Sequence, residues 1–74
     1  MPDLLTISVN GDAREVPADA AASVEALLRH VGRDPSVPGV AVAVGDRVVR
    51  RADWPATPVP DGGRVEIITA AQGG

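Results

Sequence analysis

An α+β fold, one mixed sheet with a single helix packed on one face, is predicted by three observations. An alternating apolar segment turns back at an Asn-Gly pair. One amphipathic stretch of helical period follows it. Two apolar strands, an irregular segment and a last alternating run then give the order β-β-α-β-β-β.

Leu5, Ile7 and Val9 alternate with Thr6 and Ser8, the period-two pattern of a half-buried strand. Asn10-Gly11 suits the positive φ angles of a tight hairpin turn. Arg14-Glu15-Val16 returns as a short second strand, stopped by Pro17. After the small residues 18–22, Val24, Leu27, Leu28 and Val31 fall on one helical stripe. Ser23 is placed to cap that helix, and Gly32, Pro35 and Pro38 end it. Val40-Ala41-Val42-Ala43-Val44 is a strand with large residues on one face and small ones on the other. Gly45-Asp46 turns it into Arg47-Val48-Val49-Arg50. Residues 51–60 hold three prolines and read as irregular, and Trp54 is expected in a satellite cluster beneath this loop. Asp61-Gly62-Gly63 is a turn into the strand 65–69. A last strand lying parallel to the first, in the middle of the sheet, makes this the β-grasp, or ubiquitin-like, fold, with four to five strands. Leu5, Ile7, Val9, Val65 and Ile67 then meet the helix. Leu4, Thr6, Ser8, Glu66 and Ile68 lie on the open face, where Leu4 and Ile68 are either scattered singles or parts of a docking patch.

Seventy-four residues make one domain, 1–74, with 70–74 expected as a flexible C-terminal tail. With no cysteine and one histidine, neither disulfides nor a structural zinc site is expected, so aliphatic packing must supply the core. The net charge of −3 argues against a nucleic-acid partner. No apolar run approaches the roughly 20 residues of a membrane helix, and Met1-Pro2-Asp3 is not a basic leader. The expectation is a cytoplasmic protein with no membrane partner. All seven cations are arginine, so no side-chain amine is available for isopeptide attachment.

No conventional active site emerges. His30 reads as solvated or capping, the serines and threonines have no base beside them, and the carboxylates are evenly spread. Gly62-Gly63 precedes a strand and not a helix, so it is no phosphate cradle. Arg50-Arg51 is most simply a solvated strand end. What remains is Gly73-Gly74, a carboxylate on a stalk without side chains, and glycine permits close approach to it. The residues alone leave open a carrier whose terminus reacts and a β-grasp adaptor that only binds a partner.

The chain resembles the ThiS family of sulfur carriers of thiamine biosynthesis. The resemblance rests on Ile7-Ser8-Val9-Asn10-Gly11, on Ser23-Val24-Glu25-Ala26-Leu27-Leu28 and on Gly39-Val40-Ala41-Val42-Ala43-Val44. It continues through Val48-Val49-Arg50-Arg51-Ala52-Asp53-Trp54 and the run from Asp61-Gly62-Gly63 to Gln72-Gly73-Gly74. The sequence departs from the family where Gly45-Asp46 replaces a turn that usually carries Asn, and where Arg50 replaces a common Pro. The resemblance implies a carrier and not an enzyme, with Gly74 as the covalent site and Gly73 making it reachable. A ThiF-type partner would adenylate the Gly74 carboxylate, using its own ATP and magnesium, so this chain holds no cofactor or metal. A sulfur donor such as a cysteine desulfurase would complete a thiocarboxylate, and thiazole synthase, ThiG, would receive the sulfur. Ile68, Ala70, Ala71 and Gln72 would contact the partner. Two related carriers stand beside this reading. One is a MoaD-like small subunit of molybdopterin synthase, whose tail is typically richer in aromatics and proline. The other is a carrier for cysteine or a specialised metabolite.

Overall fold

The computed structural model describes residues 3–69. It contains strands β1 (Leu4–Val9), β2 (Asp12–Pro17), β3 (Val40–Val44), β4 (Arg47–Val49) and β5 (Arg64–Thr69), and one helix, α1 (Val24–His30). Short 3-10 helices span Ala18–Ala21 and Arg51–Ala56. The five strands form one sheet in the order β2-β1-β5-β3-β4. β1 and β5 pair in parallel at its centre, and the other neighbours are antiparallel. This is the β-grasp arrangement expected from the element order.

Asn10 (φ 52°) and Gly11 (φ 88°) make a two-residue turn that sets Val9 opposite Asp12. β2 therefore begins at Asp12, two residues before the segment read from the sequence. It reaches Pro17, which lies opposite Leu4 on an edge strand, where a missing N–H is tolerated.

Both ends of α1 are satisfied. The Ser23 hydroxyl accepts from the Ala26 N–H at 3.0 Å, and the Thr57 carbonyl accepts from the Val24 N–H at 2.8 Å. At the other end the Arg33 N–H donates to the Leu28 carbonyl and the Gly32 N–H to the Arg29 carbonyl, with Gly32 at φ 85°. That is a Schellman motif, which needs a left-handed residue where Gly32 stands.

Val24, Leu27 and Leu28 are buried against Ile7, Val9, Val42, Val65 and Ile67 of the sheet. A seven-residue helix is only about 10 Å long, too short to cover a sheet roughly 19 Å wide. The rest of the inner face is closed by Trp54 and Val59, each 2 % exposed. Trp54 thus belongs to the main core and not to a satellite cluster. It lies in the second 3-10 helix, its ring turned inward and its Nε1 donating to the Val49 carbonyl at 2.9 Å.

Arg51 is likewise no strand end. Its guanidinium stacks 4.4 Å from the centre of the Trp54 ring and donates to the carbonyls of Pro35 and Val37. It therefore ties the loop after α1 to the second 3-10 helix. Arg50 does stay exposed, with only a loose ion pair to Asp53 at 3.8 Å.

Candidate functional site: the exit of strand β5

Residues 70–74 continue from the end of β5, so the last turn of this strand is the root of the proposed reactive segment. Gly73, Gly74, Ala70, Ala71 and Gln72 lie outside the described residues. Ile68 lies within them and is 57 % exposed.

Three contacts fix the root. On one side β3 runs antiparallel to β5, as far as the pair Val40–Thr69. On the other side β1 accompanies β5 only at Ser8–Arg64 and Val9–Val65 before turning away. Beyond that point the Asn10 side chain takes over, accepting from the Ile67 N–H through Oδ1 at 2.8 Å and donating from Nδ2 to the Ile67 carbonyl at 3.3 Å. Finally, Arg33 Nη1 donates to Thr69 Oγ1 at 3.0 Å. Arg33 is carried there by the Schellman motif, because it is the residue whose N–H closes the helix. The following loop is held by Asp34, which accepts from the Ser36 hydroxyl at 2.7 Å and the Ser36 N–H at 2.9 Å. Those two bonds hold the exposed Asp34 carboxyl below its ordinary pKa. Neither Asn10 nor Arg33 was singled out for this role by the sequence, because both act on residues far along the chain.

The alternation of β5 divides its side chains cleanly. Val65 and Ile67 are buried under the helix, while Glu66 and Ile68 face outward. Ile68 lies opposite Ala41, Glu66 opposite Ala43, and Ala43 opposite Val48. Ile68 and the 75 % exposed Val48 thus flank a strip floored by two alanines. Leu4 shares the parity of this face but not its place. Ser8 pairs with Arg64, so Leu4 lies four residues before that pair on β1 and Ile68 four residues after it on β5. The eight-residue offset is roughly 26 Å along the strands. A single patch holding both Leu4 and Ile68 is excluded, and only Ile68 belongs to the exit of β5.

Little else in the body offers chemistry. Among the described residues no group of three or more His, Cys, Asp or Glu side chains comes together, and none of their helices is long and apolar enough to cross a membrane. An open hollow is lined by Val44, Arg47, Val48, Val49, Asp53, Ala56 and Thr57. It lies at the β3–β4 turn, the opposite end of β3 from Thr69.

Residues 7–74 match the ThiS family. The chain belongs to the ThiS family, which consists of small sulfur carriers and not catalysts. Its fold is similar to the crystal structure of a thiamine biosynthesis protein (ThiS) from Geobacter metallireducens. The two share 30 % sequence identity and a TM-score of 0.75, over 95 % of this chain and 100 % of that one. No curated protein matches this chain. For a ThiS-family chain, the clamped exit of β5 is where the folded body meets the segment that ends in Gly73-Gly74.

Proposed function

We propose that this chain is a sulfur carrier of thiamine biosynthesis whose Gly74 carboxylate is the covalent site. The observation that carries the reading is the family match, which extends through Gly74. A carboxylate is a poor acyl donor until one oxygen becomes part of a good leaving group. In the proposed cycle a ThiF-type partner supplies ATP and magnesium. The Gly74 carboxylate attacks the α-phosphorus, giving an acyl-adenylate and releasing pyrophosphate. The outer sulfur of a persulfide on a donor such as a cysteine desulfurase attacks the acyl carbon and displaces AMP. A thiol reductant then cleaves the resulting acyl disulfide, being itself oxidised to a disulfide, to leave the thiocarboxylate. Thiazole synthase, ThiG, receives that sulfur. The chain is then a co-substrate of its partners and holds no cofactor of its own.

The division of labour follows from entropy. Ordering a glycine-ended segment in a partner's site is costly, so affinity has to come from the folded body. In this reading Ile68 and the alanine strip beside it dock the partner, Ala70, Ala71 and Gln72 contact the partner as the tail threads its site, and Gly73 lets Gly74 approach ATP without a Cβ in the way. The MoaD-like and specialised-metabolite alternatives use the same chemistry with a different acceptor, and the ThiS match favours thiazole formation.

The test is intact-mass measurement after incubation with a ThiF-type enzyme, ATP, magnesium and a sulfur source. Replacement of one oxygen by sulfur at the C-terminus is expected, and a chain lacking Gly74 should fold normally yet stay unmodified. An unchanged mass beside a partner that converts its own carrier refutes the proposal.

A further inference from the structure

The bonds around Asn10 are more specific than a hairpin turn requires. A parallel ladder repeats every two residues. Between β1 and β5 the Ser8 N–H donates to the Gly63 carbonyl and the Asn10 N–H to the Val65 carbonyl, both at 2.9 Å. Continued by the same step, the ladder would join the Ile67 N–H to the Asn10 carbonyl, and the N–H of residue 12 to the Ile67 carbonyl. β1 has left the ladder by then, because Asn10 and Gly11 adopt positive φ and Asp12 pairs with Val9. The Asn10 carboxamide fills both places, accepting from the Ile67 N–H at 2.8 Å and donating to the Ile67 carbonyl at 3.3 Å. The side chain extends the central strand pair past the point where the main chain turns away. A carboxamide carries a donor and an acceptor in one plane; an aspartate in its place could only accept.

We propose that Asn10 is a positioning residue for the sulfur-transfer reaction. It locks β5 in register at Ile67, and so fixes where residues 68–74 leave the body and how far Gly74 reaches. The proposal rests on the reading of Gly74 as the reacting group. A slip of β5 by one residue would move the exit by about 3.3 Å and turn Ile68 toward the helix. Misplacement of a reacting group by about 1 Å can cost on the order of a hundredfold in rate.

The test compares wild type, Asn10→Gly and Asn10→Asp as full chains in the partner-dependent sulfuration assay. Glycine keeps the positive φ and deletes the amide, and aspartate keeps only the acceptor. With folded protein at equal concentration, Asn10→Gly should lower kcat about tenfold or more while KM stays within about twofold. Asn10→Asp should fall between. Amide exchange at Ile67 should accelerate in Asn10→Gly while Val42, in the core of β3, stays protected. An unchanged kcat in folded Asn10→Gly, unchanged Ile67 exchange, or a rise in KM alone overturns the inference; the last outcome would make Asn10 a docking residue. A wild-type chain that gains no sulfur sinks the carrier reading instead and takes this proposal with it.

Discussion

Gly63 tests the packing that launches β5, and alanine is the perturbation. Its φ is not in the left-handed region, so backbone preference does not demand glycine there. Space does: an ideal Cβ would lie 2.7 Å from the Pro60 carbonyl oxygen and 3.2 Å from Val59 Cγ1. The Pro60 oxygen cannot simply withdraw, because it accepts the Gly63 N–H at 2.9 Å. Nor can residue 63 move, because its carbonyl accepts the Ser8 N–H in the first bond between β1 and β5. Val59 is itself buried, at 2 % exposure. Overpacking of this kind costs about 1–3 kcal/mol, a large share of the roughly 5 kcal/mol at the lower end of domain stabilities. Gly62 is the control. Nothing lies within 4 Å of a Cβ there, but its φ is +79°, so alanine should cost about 1–2 kcal/mol through conformation alone. Asparagine tolerates that φ and separates the two causes: it should largely rescue position 62 and fail at position 63. Urea unfolding followed by Trp54 fluorescence reads all four variants. Gly63→Ala within about 0.5 kcal/mol of wild type, the usual range for surface changes, would refute the argument. So would Gly63→Asn as mild as Gly62→Asn.

Three further outcomes follow from the same geometry. Ser23→Ala removes the hydroxyl that accepts the Ala26 N–H and should cost about 1 kcal/mol in denaturant unfolding. Trp54→Ala empties the part of the core the short helix cannot reach, at about 3–5 kcal/mol, and urea unfolding followed by circular dichroism should show the midpoint falling by most of a stability of roughly 5 kcal/mol. Ile68→Asp alters an exposed side chain on the open face, so Tm should stay nearly constant while KM for the adenylating partner rises about tenfold or more, the scale of a truncated hot spot.

The parts of the fold legible in the sequence are those whose cause lies within a few residues. Asn10-Gly11 carries its turn in its own φ preference. Ser23 caps a helix whose stripe begins at the next residue, and Gly32 ends it in the left-handed conformation that motif requires. The core position of Trp54 is not legible in the sequence, because a proline-containing 3-10 helix has no apolar period to show which side faces inward. The need for it comes from the shortness of α1, which is a property of the whole inner face. The roles of Asn10 and Arg33 at the root were hidden for a different reason. Their partners, Ile67 and Thr69, lie 57 and 36 residues away, and local pattern carries no information on such pairs. The reactive role assigned to Gly74 came from its family resemblance, not from any geometry.

Strand parity and strand offset behave differently in the same way. Alternation alone assigns Leu4 and Ile68 to one face, since a face repeats every two residues whatever the register. The offset between β1 and β5 is set elsewhere, by the turn before β5. There Asp61 Oδ1 accepts the Thr6 N–H at 2.9 Å, and the Gly62 N–H donates to the Thr6 carbonyl at 2.8 Å. Those bonds hold the turn beside the middle of β1, so β5 starts at Ser8 and runs on past the end of its partner. The overhang carries Ile68 away from Leu4 and leaves the last residues of β5 without a main-chain neighbour on that side. Asn10 supplies one there. The same turn that parts the two exposed apolar residues therefore creates the need for a side-chain clamp at the exit, and places it next to the segment proposed to react.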